Sequence, residues 1–236
     1  MSTLENTVTL LRLLVSSLTR PKLEVLNAHG SQSITATRAL EAARAADWHA
    51  LKNAEFIAPD TELEARAFWL NLYNALTLHG MHAAKVNNTV LEVPGFYSRF
   101  AYLVSGLEFS LNDIEHGVLR GNRKALFSKP PFAPHDPRAK FVLPLDARVH
   151  FALNCGAMSC PPIRHYTAAA LEAQLTLATQ SYLQSARVQG NTVWLPRLLS
   201  YYPQDFGDPL EYTRTFRPEL PANARVRFDP YSWKTI

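Results

Sequence analysis

The chain has 236 residues, 47% of them hydrophobic, and 24 basic against 20 acidic side chains give a net charge of +4. That much apolar material supports a sizeable core, and no stretch reaches the ~20 apolar residues that span a bilayer. The basic residues are scattered, and their densest group, Arg120, Arg123 and Lys124, has little aromatic interleaving, which argues against nucleic acid as a partner.

Residues 3–20 read as an amphipathic helix ending near Arg20. Within it "TVTLLRLLVSSLTR" has neither a basic leader nor a clear cleavage site, so no export signal is expected and the location is taken as cytoplasmic. In that reducing setting two cysteines are not a structural staple. A second helical stretch, "TRALEAARAADWHALKNAEF", is alanine-rich and periodic. "PDTELEARAFWLNLYNALTLHGMHAAKV" then opens with a capping box in which Thr61 bonds the Glu64 amide and Glu64 reaches back. Its apolar residues wrap nearly the whole circumference, which predicts a central, buried helix.

"YLVSGLEFS" reads as a β-hairpin turning at Ser105–Gly106. Asn112 and Glu115 suit a second capping box for the short helix "DIEHGVLRG". Five prolines stiffen the loop from Ser128 to Pro144. "ARVHFAL" reads as a buried strand, Thr167 as the cap of the helix "AAALEAQLTLATQSYLQSA", and "NTVWLP" as another strand. "RLLSYYPQDFG" predicts a helix ending at Gly207, and "ARVRFDPYSW" a last strand. Helices outweigh strands without alternating regularly with them. The expected class is α+β, one helix-rich domain around a small antiparallel sheet, with residues 1–55 as a helical segment packed on the core formed by residues 56–236.

Chemistry concentrates in "VHFALNCGAMSCPPIRHY", residues 149–166, which holds both cysteines. Gly156 lets the backbone turn and leaves amides free to donate to an anion. A thiol at such a strand exit can be stabilised as thiolate, although free cysteines are also common small core residues. A nucleophilic cysteine needs a base within about 3 Å. On an extended strand His150 stands ~16 Å from Cys155 and on the opposite face, so it serves only if the chain doubles back. His165 follows the Pro-Pro pair, and His116 is free of local distance limits.

On "SLNDIEHGVLRG", Asp113, His116 and Arg120 form a polar face: either a solvated ion pair or a cleft-facing histidine with Arg120 ready to hold a carboxylate or phosphate. Asn71 and Asn74 lie one turn apart among core residues. Each should have a specific partner, either neighbouring backbone or a catalytic histidine, as in papain-like Cys-His-Asn sites. Trp69 and Tyr73 read as core aromatics.

Together "AFWLNLYNALTLHG", "LNDIEHGVLR", "VHFALNCGAMSCPPIRHYTAAALEAQL" and "LLSYYPQDFG" resemble the domain-of-unknown-function 547 family over roughly residues 60 to 233. "VRFDPYSWKTI" departs from that family's usual Tyr-Asp-Trp close. The resemblance places motif residues at Trp69, Asn71, Asn74, Glu115, His116, Arg120, His150, Cys155 and Gly156. It matches Cys160 to a serine in plant-type members. The resemblance implies little settled biochemistry, but it raises Cys155 and His116, and with the residues themselves it leads to the expectation of a papain- or transglutaminase-like thiol hydrolase or acyltransferase acting on a small-molecule or peptide substrate. There Cys155 is the nucleophile, His116 the base, and Asn71, Asn74 or Glu115 the group orienting the imidazole; His150 is a further catalytic candidate. The Cys155 and Gly156 amides form the oxyanion site, and Arg120, Gly156, Trp69 and Cys160 contact substrate. No cofactor or metal is expected. Two other classes stay open: a redox or metal role for the cysteine pair, whose spacing matches neither C-x-x-C nor regular zinc motifs, and a non-catalytic binding module.

Overall fold

A computed structural model describes residues 22–125 and 128–235; the amphipathic helix expected over residues 3–20 lies outside them. The elements run β1 (Glu24–Val25), β2 (Gln32–Ser33), α1 (Ala36–Arg44), α2 (Trp48–Lys52), β3 (Ala54–Glu55), α3 (Glu62–Ala83), α4 (Phe96–Arg99), β4 (Phe100–Val104) and β5 (Leu107–Ser110). A wide helical turn over Asp113–Leu119 follows, then 3-10 turns at Pro137–Phe141 and Ala147–Phe151. The rest is α5 (Leu171–Leu183), β6 (Arg187–Gln189), β7 (Thr192–Leu195), α6 (Leu198–Tyr201), α7 (Pro203–Phe206), α8 (Pro209–Arg214) and β8 (Arg225–Phe228). The class is α+β. Its strands are split among small sheets ordered β1-β4-β5, β2-β3 and β6-β7-β8, which mix antiparallel and parallel pairs.

Helix α3 is the axis of the molecule. Every residue from Ala65 to Thr77 is buried, as its all-round apolar sequence predicts. Its cap differs from expectation: Thr61 Oγ1 donates to the Glu64 carboxylate at 2.6 Å and accepts from no helix amide. Trp69 is fully buried, with its ring 4.7 Å from Phe109 and 5.1 Å from Phe68. It is therefore core and out of a substrate's reach. The hairpin stands as expected. Ser105 and Gly106 both take positive φ, which matches the right-handed twist of the paired strands.

Two stretches fold differently from their sequence reading. "ARVHFAL" is a 3-10 turn over Ala147–Phe151, begun by Asp146, whose carboxylate accepts the Arg148 amide. The separation and opposite facing argued from an extended strand therefore do not apply. "DIEHGVLRG" has no capping box: Asn112 is itself helical and donates to Ser98 Oγ at 2.7 Å. Asp113 accepts from the Ser110 amide and hydroxyl. The segment is wound in π geometry, with the Arg120 amide donating to Glu115 O and Asn122 to Gly117 O, each five residues back. Thr167 likewise makes no side-chain cap, and three 3-10 residues precede α5.

The core has two parts. The larger gathers α1, α2, α3, the hairpin and the π segment; the smaller joins Phe151, α5, β7 and the short helices α6–α8. No helix among the described residues is long and apolar enough to cross a membrane.

The two asparagines inside α3 tie it to chain segments far away in sequence. Asn71 donates to Tyr166 O at 2.8 Å and accepts from Tyr166 N at 3.0 Å; Asn74 donates to Ala152 O at 3.0 Å and accepts from Asn154 N at 2.9 Å. Replacing Asn74 by Ala strands two buried backbone groups, each worth about 1–3 kcal/mol, so urea unfolding should show a loss of about 3 kcal/mol. A loss below about 1 kcal/mol would refute the clamp.

His79 is buried against Tyr102 OH at 3.0 Å and under Trp48. Burial first, then the charges of His82 and Lys52, lower its pKa from 6.5 to about 4. Between those values the unfolded chain binds the proton and the folded chain does not, so stability present above pH 6.5 is lost as pH falls toward 4. Melting temperature measured from pH 7 to 4.5 should drop less steeply for His79→Gln than for the native chain; parallel curves would exclude His79 as the cause.

Candidate functional site

Asn154 braces the cysteine loop from within. Its Oδ1 accepts the Gly156 amide at 2.8 Å and its Nδ2 donates to Pro161 O at 2.9 Å, drawing the two ends of the loop together. Gly156 sits at φ +88°, and a Cβ there would meet Met81 Sδ and Val90 Cγ1 at 2.9 Å, so conformation and space both require glycine. From outside, the chain end holds the loop: Met158 N donates to Lys234 O, Ser159 N to Ser232 O, and Ser232 N to Ser159 Oγ.

This brings the two half-buried thiols together, with Cys155 Sγ 2.7 Å from Cys160 Sγ. The Cys160 sulfur also receives the Cys155 amide at 3.1 Å and lies 3.1 Å from Tyr231 OH; Cys155 Sγ is 3.6 Å from that phenol. The hydrogen bond to Cys160 and burial push the Cys155 thiol well above its ordinary range, and the Glu115 charge adds to this. Burial opposes ionisation of Cys160 too, yet the donors from Cys155, Tyr231 and the Ala157 amide carry it below its ordinary range. Of the two, Cys160 is the more acidic thiol and Cys155 the one that holds its proton more tightly.

No histidine among the described residues hydrogen-bonds to either sulfur. His116 is buried, and its Nδ1 faces Arg120 Nη1 at 2.9 Å. Since a guanidinium only donates, the lone pair of Nδ1 is occupied. Burial, with the Arg120 and His150 charges adding to it against the pull of Glu115, lowers the ring to about 4, so it is neutral near pH 7. His150 turns the other way: its Nε2 lies 2.8 Å from Asp205 Oδ2 and its ring stacks on Tyr202 at 4.0 Å. His165 bonds Thr37 at 3.0 Å. Asn71 and Asn74 are backbone clamps and hydrogen-bond directly to no imidazole. The Cys155 and Gly156 amides are also committed, to Cys160 Sγ and Asn154 Oδ1, which removes them as an oxyanion site.

The other polar candidates form a buried cluster. Glu115 accepts from Tyr202 OH at 2.7 Å and Tyr73 OH at 2.9 Å. Burial alone would raise this carboxyl, but the charges of His116 and His150, the Tyr202 bond and Arg120 together lower it. Arg120 does not face a cleft: its Nε donates to Asp205 at 2.5 Å, Nη1 to Lys124 O at 3.3 Å, and its guanidinium lies 4.6 Å over the Tyr202 ring. Asp205, its side chain fully covered, accepts from Arg120 and Arg123 and faces His150. Asp113, grouped with His116 and Arg120 by spacing, instead pairs with Arg138 at 3.1 Å. No group of three or more His, Cys, Asp or Glu residues placed to hold a metal occurs among the described residues.

Sequence reasoning missed Tyr202, Asp205 and Tyr231. The first two lie inside the motif "YYPQDFG", which carried the only available signal. Tyr231→Phe removes a donor from Cys160 with little change in volume. The 240-nm thiolate absorbance should then titrate at higher pH than in the native protein, and an unmoved curve would dismiss Tyr231 as the stabiliser.

No curated protein and no solved structure matches this chain. A family model does: the one described as "Protein of unknown function, DUF547" matches residues 60–183, a span that takes in α3, the hairpin, the π segment, the whole cysteine loop and α5. The chain belongs to that family.

Proposed function

We propose that this protein is a cysteine-dependent hydrolase or acyltransferase in which Cys155 is the nucleophile and Cys160, rather than His116, receives its proton. The observation that carries this is the 2.7 Å approach of the two sulfurs, of which Cys160 is the more acidic. A thiolate at that distance is positioned as a base, whereas the basic lone pair of His116 is taken by Arg120. Cys160 itself is a weaker attacker, since three donors surround its sulfur. Once deprotonated, the more basic thiol is also the stronger nucleophile.

In the reaction Cys155 Sγ bonds to the acyl carbon of an amide, peptide or thioester while its proton passes to Cys160. The carbonyl electron pair moves to oxygen and returns as the amine or thiol departs with the proton held on Cys160. Water, or an acceptor amine or thiol, then releases the acyl group from Cys155 and restores the thiol. Glu115 does not touch the sulfurs; its charge adds to the Cys160 hydrogen bond and the burial that raise the Cys155 thiol.

The test combines labelling and turnover. Against p-nitrophenyl acetate, thioesters and small peptide amides, Cys155→Ser should abolish turnover and Cys160→Ser should lower it by about 10²-fold or more, the scale of a lost general base, with both variants melting near the native temperature. His116→Gln should spare the iodoacetamide reactivity of the pair. Full turnover by Cys155→Ser, or no turnover by the native chain on any of these acyl substrates, would defeat the proposal.

A further inference from the structure

The cysteine pair has a second capacity, independent of any acyl substrate. Its sulfurs stand at 2.7 Å, so roughly 0.7 Å of closure separates them from the ~2.05 Å of a disulfide bond. Little backbone rearrangement stands in the way. Asn154 already braces the ends of the loop, and Cys160 N donates to Ala157 O at 2.9 Å in the turn between the cysteines. Cys160 is the more readily ionised of the two and Cys155 the more readily protonated, and a peroxide reaction consumes one thiolate and one thiol.

We infer that Cys155 and Cys160 are a reversible oxidation site, at which a hydroperoxide converts the pair to an intramolecular disulfide and withdraws the nucleophile. This deepens the acyl-transfer proposal as regulation of the same site, but its chemistry requires only the pairing. With its proton moved to Cys160, Cys155 attacks the terminal peroxide oxygen. The O–O bond breaks, and the departing oxygen takes that proton to leave as alcohol or water. Cys155 is now a sulfenic acid. The Cys160 thiolate then bonds to the Cys155 sulfur and expels hydroxide. Two electrons have passed from the two sulfurs to the O–O bond, and thiolate, thiol and hydroperoxide have become disulfide, alcohol and hydroxide. Two equivalents of a small thiol reverse the change by exchange.

The experiment treats the full chain with stoichiometric hydrogen peroxide, denatures it without reductant, alkylates it with iodoacetamide and weighs it intact. Alkylatable thiols should fall from two to none, the mass should drop by two hydrogens within a single chain, and dithiothreitol should restore both. Oxidation of Met158, 61% exposed between the two cysteines, adds an oxygen and is distinguished by mass. Cys160→Ser, lacking the resolving sulfur, should accumulate a sulfenic acid that dimedone traps at Cys155. Should that variant fold poorly, phenylarsine oxide offers a second measure on the native chain, since one equivalent should block both thiols. Two thiols still free after peroxide, a disulfide joining two chains, or sulfinic acid in place of the disulfide would each overturn the inference. None of these readings depends on turnover, so failure of the acyl-transfer proposal would leave the oxidation result to stand or fall alone.

Discussion

Everything at the cysteine loop depends on two side-chain amides inside a helix otherwise made of hydrocarbon. Asn71 and Asn74, one turn apart on α3, each close a two-bond ring with backbone, one at Tyr166 and the other across Ala152 and Asn154. The loop between those anchors is irregular, and irregular backbone near a core needs donors and acceptors from somewhere. Helix α3 supplies them. Asn154 hands the order inward to Gly156 and Pro161, so the positions of both sulfurs follow from the buried helix in two steps.

A second constraint joins the two hydrophobic regions. Glu115, His116 and Arg120 come from the π segment packed in the larger core, while Tyr202 and Asp205 come from the short helices of the smaller one. Arg120 and Asp205 are almost wholly withdrawn from water, their side chains 2% and 0% exposed. An ion pair so placed adds little net stability, but losing either partner leaves a bare charge inside. Four residues' spacing puts Arg120 over His116, as it does on any helix. The result is a junction that admits very few side-chain combinations, placed beside the thiols.

Much of the framework was legible. The all-round apolar character of α3 announced its burial, the Ser105–Gly106 pair its tight turn, and the two asparagines their need for partners. Where reading failed, the physics was local and ambiguous. "VHFAL" is a five-residue apolar run, too short for periodicity to separate a strand from a turn of helix, and the Asp146 side chain decided for the turn. Asn112 and Glu115 have capping-box spacing, but Ser98 and two phenols outcompeted the box for their side chains. His116 matched a catalytic base by residue type; Arg120 stood one turn on along the same polar face, but the spacing did not show that its guanidinium would take the lone pair rather than face a cleft. Tyr202, Asp205 and Tyr231 stayed hidden because they meet their partners over 55 to 87 positions, and a tyrosine in an aromatic-rich tail looks like packing.

The hydrogen bonds on the Cys160 sulfur come from two very different distances along the chain. The amide and thiol of Cys155 are five positions away, whereas the Tyr231 phenol is 71. How near the sulfurs stand is thus set by one short loop and its brace, while part of how acidic they are is set 71 positions further along the chain. A change confined to the Tyr231 phenol can retune the charge while the backbone brace keeps the spacing, whereas a change in the loop alters both, because the Cys155 donors depend on that spacing.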